Sequence, residues 1–127
     1  MKRVTCPYCW KEPVWVENKV VYGKNYGKSY MMYYCKKCDA YVGCHNNTKE
    51  PLGTLADAEL RDLRKQVHNL IDPLWQSGEV RRRDIYQQLS DYMGFSFHTG
   101  EATKEDCLKV INDLSDAIKL EDIKGEL

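Results

Sequence analysis

At 127 residues, 43% hydrophobic and 30% charged, with 19 Lys/Arg against 19 Asp/Glu, the chain has the size of one ordinary domain or of a metal-stapled module joined to a small helical one. It has no apolar run long enough to span a membrane, no signal-type apolar N-terminus and no lipidation signal at Glu126-Leu127, so a cytoplasmic protein without membrane attachment is expected. The zero net charge is a cancellation: residues 1–53 carry nine Lys/Arg against four Asp/Glu (+5), and residues 54–127 carry ten against fifteen (−5).

In chain order, the first feature is a short cysteine knuckle, Cys6-Pro7-Tyr8-Cys9, which is matched, after 25 intervening residues, by Cys35-Lys36-Lys37-Cys38. Two thiolates separated by two residues grip one ion from a single turn, and a second such turn completes the all-cysteine tetrahedron that zinc takes in closed structural sites. One structural Zn²⁺ held by Cys6, Cys9, Cys35 and Cys38 is therefore expected. A disulfide framework and a thioredoxin-type redox pair are the competing readings, and paired knuckles with strand-like sequence between them fit these less well. In rubredoxin-like knuckles, glycine usually follows the second cysteine, because the backbone there tends to be left-handed. Trp10 and Asp39 stand in those places, and Asp accepts that conformation at small cost, whereas Trp10 is expected to be strained or to shift the turn.

Between the knuckles, Pro13 to Val16 and Lys19 to Tyr22 read as a hairpin turning at Glu17-Asn18, and Gly23 to Ser29 reads as a loop. Tyr30 to Tyr34 is a return strand into Cys35, and Ala40 to Cys44 is a short fourth strand. Cys44 and His45 are adjacent, so at most one of them faces any given ion. A buried Cys44 and a surface His45 are expected, with ligation by either left open.

From residue 54 the period changes to that of helices. Thr54 and Asp57 form an approximate capping box, and Leu60, Leu63, Val67, Leu70 and Leu74 make an apolar stripe on a helix expected to reach about Ile71, ended or bent by Pro73. Arg81 to Met93 reads as a second helix closed by Gly94, and Phe95 to Gly100 as a loop whose two aromatics dock on the core. Thr103 to Asp106 caps a third helix, lined by Cys107, Val110, Ile111, Leu114 and Ile118. The fold class expected is α+β: a four-cysteine zinc ribbon with a small antiparallel sheet over residues 1–53, followed by a three-helix region over 54–127. His68, His98 and Cys107 are better explained by surface or core roles than by a site, and no metalloprotease, deaminase, Walker or hydrolase motif is present.

Several stretches carry a family resemblance: CPYC at 6–9, VVYG at 20–23, YYCKKCDAYVGCH at 33–45, PLGTLADAELRDLR at 51–64 and HNLIDPLWQSG at 68–78. As a set they resemble the small zinc-finger-containing proteins of bacterial phages and prophages. That resemblance implies a zinc ribbon followed by helices, carries the metal-binding role onto Cys6, Cys9, Cys35 and Cys38, and implies no reaction. A more distant similarity is to the zinc ribbons at the ends of type I topoisomerases, which touch single-stranded DNA.

Tyr22, Lys24, Tyr26, Lys28, Tyr30, Lys36 and Lys37 alternate aromatics able to stack on bases with cations able to meet phosphates. The expected function is thus a non-enzymatic, zinc-stabilised module that binds single-stranded nucleic acid. The alternative is a phage-encoded protein whose acidic helical half binds and modulates a host polymerase, nuclease or defence factor. A metalloenzyme is disfavoured, because four thiolates leave zinc no open position for water, and no small-molecule substrate is inferred.

Overall fold

Three short segments rich in β-branched and aromatic residues, Val14–Glu17 (β1), Met31–Cys35 (β2) and Ala40–Gly43 (β3), form an antiparallel sheet in the order β1-β2-β3. This is seen in a computed structural model that describes residues 3–27 and 29–120. The chain divides into two compact units, Met1–Arg61 and Asp62–Leu127. Register pairs Trp15 with Tyr33 and Tyr33 with Val42, and one step along pairs Val14 with Tyr34 and Tyr34 with Tyr41. The strand period of two therefore puts Trp15, Tyr33, Cys35, Ala40 and Val42 on one face, and Val14, Met32, Tyr34 and Tyr41 on the other. The first face holds the unit's core, where Tyr33, Cys35, Ala40 and Cys44 are buried with Cys6 and Leu55.

The expected hairpin does not form. Lys19–Tyr22 is a single helical turn, α1, rather than a strand, and the sheet has three strands instead of four. Asn18 is responsible. Its backbone carbonyl accepts from Val21 and Tyr22, and its buried carboxamide donates to the Tyr26 carbonyl at 2.9 Å and accepts from the Tyr26 amide at 3.0 Å. Gly23, at φ 86°, then closes the turn in the left-handed region that glycine enters at no steric cost. This tertiary bonding outweighs the β preference of Val20 and Val21.

After β3 the chain turns back at His45–Glu50, where the His45 amide donates to the Glu50 carbonyl and Asn47 is left-handed at φ 58°. Pro51 bridges to Cys44, and Ala56 pairs with Tyr41 through two backbone bonds of 3.1 and 3.2 Å. Because Leu55 and Ala56 are drawn into the ribbon in this way, the next helix starts later than Thr54. Helix α2 is Ala58–Gln76, and Asp57 takes the capping role, its Oδ1 accepting from the Leu60 amide at 2.9 Å.

Helix α2 continues through Pro73 to Gln76, beyond the expected end. Proline in the last turn forgoes its own amide bond and crowds the carbonyl four residues back, leaving only three residues of helix beyond it to be affected, and the Trp75 indole donating to Asp72 Oδ1 supports that turn locally. The buried stripe on α2 runs Leu60, Val67, Ile71, while Leu70 is exposed, so Ile71 takes the place expected of Leu70. Helix α3, Arg82–Met93, ends at Gly94 (φ 84°), whose amide donates to the Ser90 carbonyl. In the following loop only one aromatic docks: Phe97 is buried and stacks on Tyr86 at 6.2 Å, whereas Phe95 is exposed. The Thr103–Asp106 capping box is reciprocal, at 3.1 Å in each direction, and opens α4, Lys104–Asn112. The third helical stretch then breaks at Asp113 and resumes as the short α5, Leu114–Ala117. No described helix is long and apolar enough to cross a membrane.

Candidate metal centre

The two knuckles share a left-handed residue after the second cysteine but close through different backbone bonds. In the first, the Trp10 amide donates to the Cys6 carbonyl at 2.8 Å and the Cys6 amide to the Lys11 carbonyl at 2.9 Å; in the second, the Asp39 amide donates to the Lys36 carbonyl at 3.3 Å. Each closes on a left-handed residue, Trp10 at φ 64° and Asp39 at φ 52°. Of the two expected outcomes for Trp10, the turn thus keeps the knuckle geometry and Trp10 takes the left-handed backbone that strains a residue bearing a Cβ.

Both knuckles are tied to the segment that leads into α2. The Tyr8 hydroxyl accepts from the Asp57 amide at 3.1 Å. Arg61 donates to the carbonyls of Asp39 (2.9 Å) and Ala56 (2.7 Å), and its guanidinium lies 3.9 Å from the centre of the Tyr41 ring.

This scaffold brings the sulfurs of Cys6, Cys9, Cys35 and Cys38 within 4.8 Å of one another, with Cys9 and Cys35 at 3.8 Å. A tetrahedron with zinc–sulfur bonds of about 2.3 Å has edges of about 3.8 Å, so the cluster has the dimensions of a four-thiolate zinc site. All six cysteines are free thiols, which sets the disulfide reading aside. Burial pushes the Cys6 thiol up and the Cys38 thiol up to about 12, while the Lys11 backbone amide leads in holding Cys9 down at about 7. A divalent cation reverses the cost of ionising the buried members, because it is the largest local charge and coordinates the deprotonated form.

Residues 2–117 match the family model described as a zinc-finger-containing domain. The chain belongs to that family. No curated protein and no solved structure matches it.

In this zinc-finger-containing protein none of the remaining candidates is among the four clustered residues. Cys44 is buried in the core beside Cys6 and Cys35, and His45 is exposed; neither is among the four clustered residues. Burial raises the thiol pKa of both Cys44 and Cys107, as befits small core residues. His68 is exposed on α2, and the exposed His98 has its Nε2 3.2 Å from the Ser96 hydroxyl. Arg81, Arg82 and Arg83 are exposed at the start of α3, with Arg82 over the Tyr86 ring at 4.5 Å.

The candidate nucleic-acid residues form no single patch. Tyr22 meets Tyr26 and Tyr41 edge-on at 5.7 and 5.8 Å, and Lys24 lies 5.2 Å from the Tyr26 ring centre, so these three share one surface with Tyr41. Tyr30 instead borders a groove with Trp15 and Lys49. Lys36 and Lys37 are exposed in the second knuckle, and Lys28 lies outside the described residues. Sequence reasoning passed over Trp15, Tyr41, Lys49 and Arg61. An all-apolar strand such as Val14-Trp15-Val16 gives no alternation by which to tell the outward ring from the inward one, and Arg61 reads only as the polar side of a helix.

Proposed function

We propose that this protein is a zinc-stabilised, non-enzymatic module that binds single-stranded nucleic acid through its first unit. One zinc ion on Cys6, Cys9, Cys35 and Cys38 supplies the folding free energy that a small sheet lacks, and four thiolates leave no coordination position for a substrate or water. The observation that carries the binding reading is the solvent-facing pair Tyr22 and Tyr26, exposed at 45% and 51% and in edge-on contact, with Lys24 held against the Tyr26 ring. Rings kept at the surface beside cations are what base stacking and phosphate contact require. Charge agrees, since the first unit carries ten Lys/Arg against six Asp/Glu.

Fluorescence anisotropy of a labelled single-stranded oligonucleotide at several salt concentrations tests the reading. Lys24→Glu is expected to weaken binding and to lower the salt slope by about 0.7, the share of one phosphate contact on a single strand. Tyr26→Ala is expected to weaken binding with the slope nearly unchanged. No binding by the wild type at low salt refutes the proposal. Capture of a host protein by the intact chain in nuclease-treated lysate then becomes the leading reading, supported by the acidic second unit with nine Lys/Arg against thirteen Asp/Glu.

A further inference from the structure

The groove bounded by Trp15, Ser29, Tyr30, Met31, Asn47, Thr48 and Lys49 encloses about 440 Å³, within the range of small-ligand sites. Its aromatic floor is fixed in place. Trp15 is held by its place in β1, paired with Tyr33 of β2, while remaining 38% exposed, so its backbone is fixed and its ring is presented to solvent. Lys49 is delivered to the same spot by a fixed main chain: the Tyr33 hydroxyl donates to its carbonyl at 2.6 Å, and its ammonium lies 4.7 Å from the centre of the Trp15 ring.

The wall is a turn whose polar groups are mostly committed. The Thr48 hydroxyl donates to the His45 carbonyl at 2.9 Å and accepts from the Glu50 amide at 3.2 Å, and the Ser29 hydroxyl donates to the His45 carbonyl at 3.4 Å. Asn47, left-handed at the tip, adds a carboxamide to the lining.

The charge of this lining selects its occupant. Among the described residues it contains one cation and no carboxylate, and the exposed indole already carries an ammonium, so a second cation is repelled and cation recognition by an aromatic cage is disfavoured. An anion with a flat apolar part is complementary: the flat part takes the ring and the anion draws the ammonium off it.

We propose that this groove is a base-binding subsite, in which one unstacked nucleotide of a single-stranded nucleic acid lies on Trp15 and its phosphate is met by Lys49. The proposal rests on the nucleic-acid reading above, and it places a contact on the side of the sheet that faces the cysteines, apart from the Tyr22–Tyr26 surface.

The test uses the zinc-loaded full chain, a single-stranded 12-mer and a glutamate 12-mer as an anionic chain without bases. Tryptophan emission of the wild type is expected to be quenched by the oligonucleotide and not by the glutamate peptide. Quenching should survive Trp75→Phe and be lost in Trp15→Phe. By anisotropy, Trp15→Ala should weaken binding by about 5- to 150-fold, the effect of one lost stacked base, with Trp15→Phe recovering most of it. Lys49→Gln should lower the salt slope by about 0.7. Zinc content is measured for each variant, and if Trp15→Ala loses zinc, the decision passes to Trp15→Phe and Lys49→Gln, which keep the ring and the fold. Wild-type binding with unaltered quenching in Trp15→Phe and an unaltered slope in Lys49→Gln overturns the subsite and leaves the nucleic-acid reading standing. Equal quenching by the glutamate peptide overturns the role of the base, and no oligonucleotide binding by the wild type overturns both readings.

Discussion

Trp10 is a bulky residue held at φ 64°, and its side chain is 76% exposed. Replacing it by alanine and by glycine separates backbone strain from side-chain contact, since both variants lose the same indole and only one relieves the strain. A left-handed conformation costs a residue bearing a Cβ roughly 1–2 kcal/mol, while glycine gives back roughly 0.5–1 kcal/mol through the freedom of its unfolded chain. Trp10→Gly is therefore expected to be more stable than Trp10→Ala by about 0.5–1 kcal/mol, or about 2–8 °C in Tm for a domain of this size, with Trp10→Asn between them because asparagine tolerates this region. Thermal melts of the zinc-loaded proteins at one fixed free zinc concentration measure the order, since bound metal itself shifts Tm. Equal melting of the glycine and alanine variants, or alanine the more stable, would show that the knuckle is not strained and that its turn adapts to whatever side chain it carries.

Cys6→Ser and Cys38→Ser are each expected to abolish binding of one zinc per chain and unfold the ribbon, whereas Cys44→Ala and Cys107→Ala keep the metal and cost about 1–2 kcal/mol; colorimetric zinc release and urea melts distinguish them. Thr103→Ala removes one half of the cap on α4 and should lower urea stability by about 1 kcal/mol, an expectation that fails if the midpoint is unchanged. Tyr22 is raised from 10.0 to about 12, first by burial and then by the Tyr41 hydroxyl. The folded state thus holds this proton more tightly than the unfolded one, so the contribution is complete below pH 10 and is lost as pH rises to about 12. Absorbance titration at the phenolate band should show a late component that Tyr22→Phe removes.

What could be read from the sequence follows from how local each determinant is. The knuckles are legible because two cysteines at fixed spacing define a turn on their own, and the dimensions of the four-sulfur cluster follow once two such turns meet. Gly94 and the Thr103–Asp106 box are legible for the same reason, each cap being complete within five residues. The misread segments depend on distant partners. Lys19–Tyr22 has strand-like residues, but Asn18 bonds to Tyr26 and Tyr30 and winds it into a turn. Thr54 loses its capping role because Ala56 is recruited by Tyr41, and the third helix breaks at Asp113, whose carboxylate accepts from the Tyr92 hydroxyl at 2.8 Å. The candidate surface suffers most, because proximity in sequence put Tyr30 with Tyr26, whereas the strand pairing assigns it to the groove of Trp15.

The two bonds by which the Asn18 carboxamide grips the Tyr26 backbone also make that excursion replaceable. They close an eight-residue span at its neck, and the Asn18 amide anchors the same point to the Tyr30 carbonyl at 2.6 Å. Sheet register and knuckle spacing are thereby insulated from what the chain does between Gly23 and Lys24. Doubling the span by inserting eight residues there costs only about 0.6 kcal/mol of closure entropy. The position is a natural point for grafting a foreign recognition peptide without disturbing the metal.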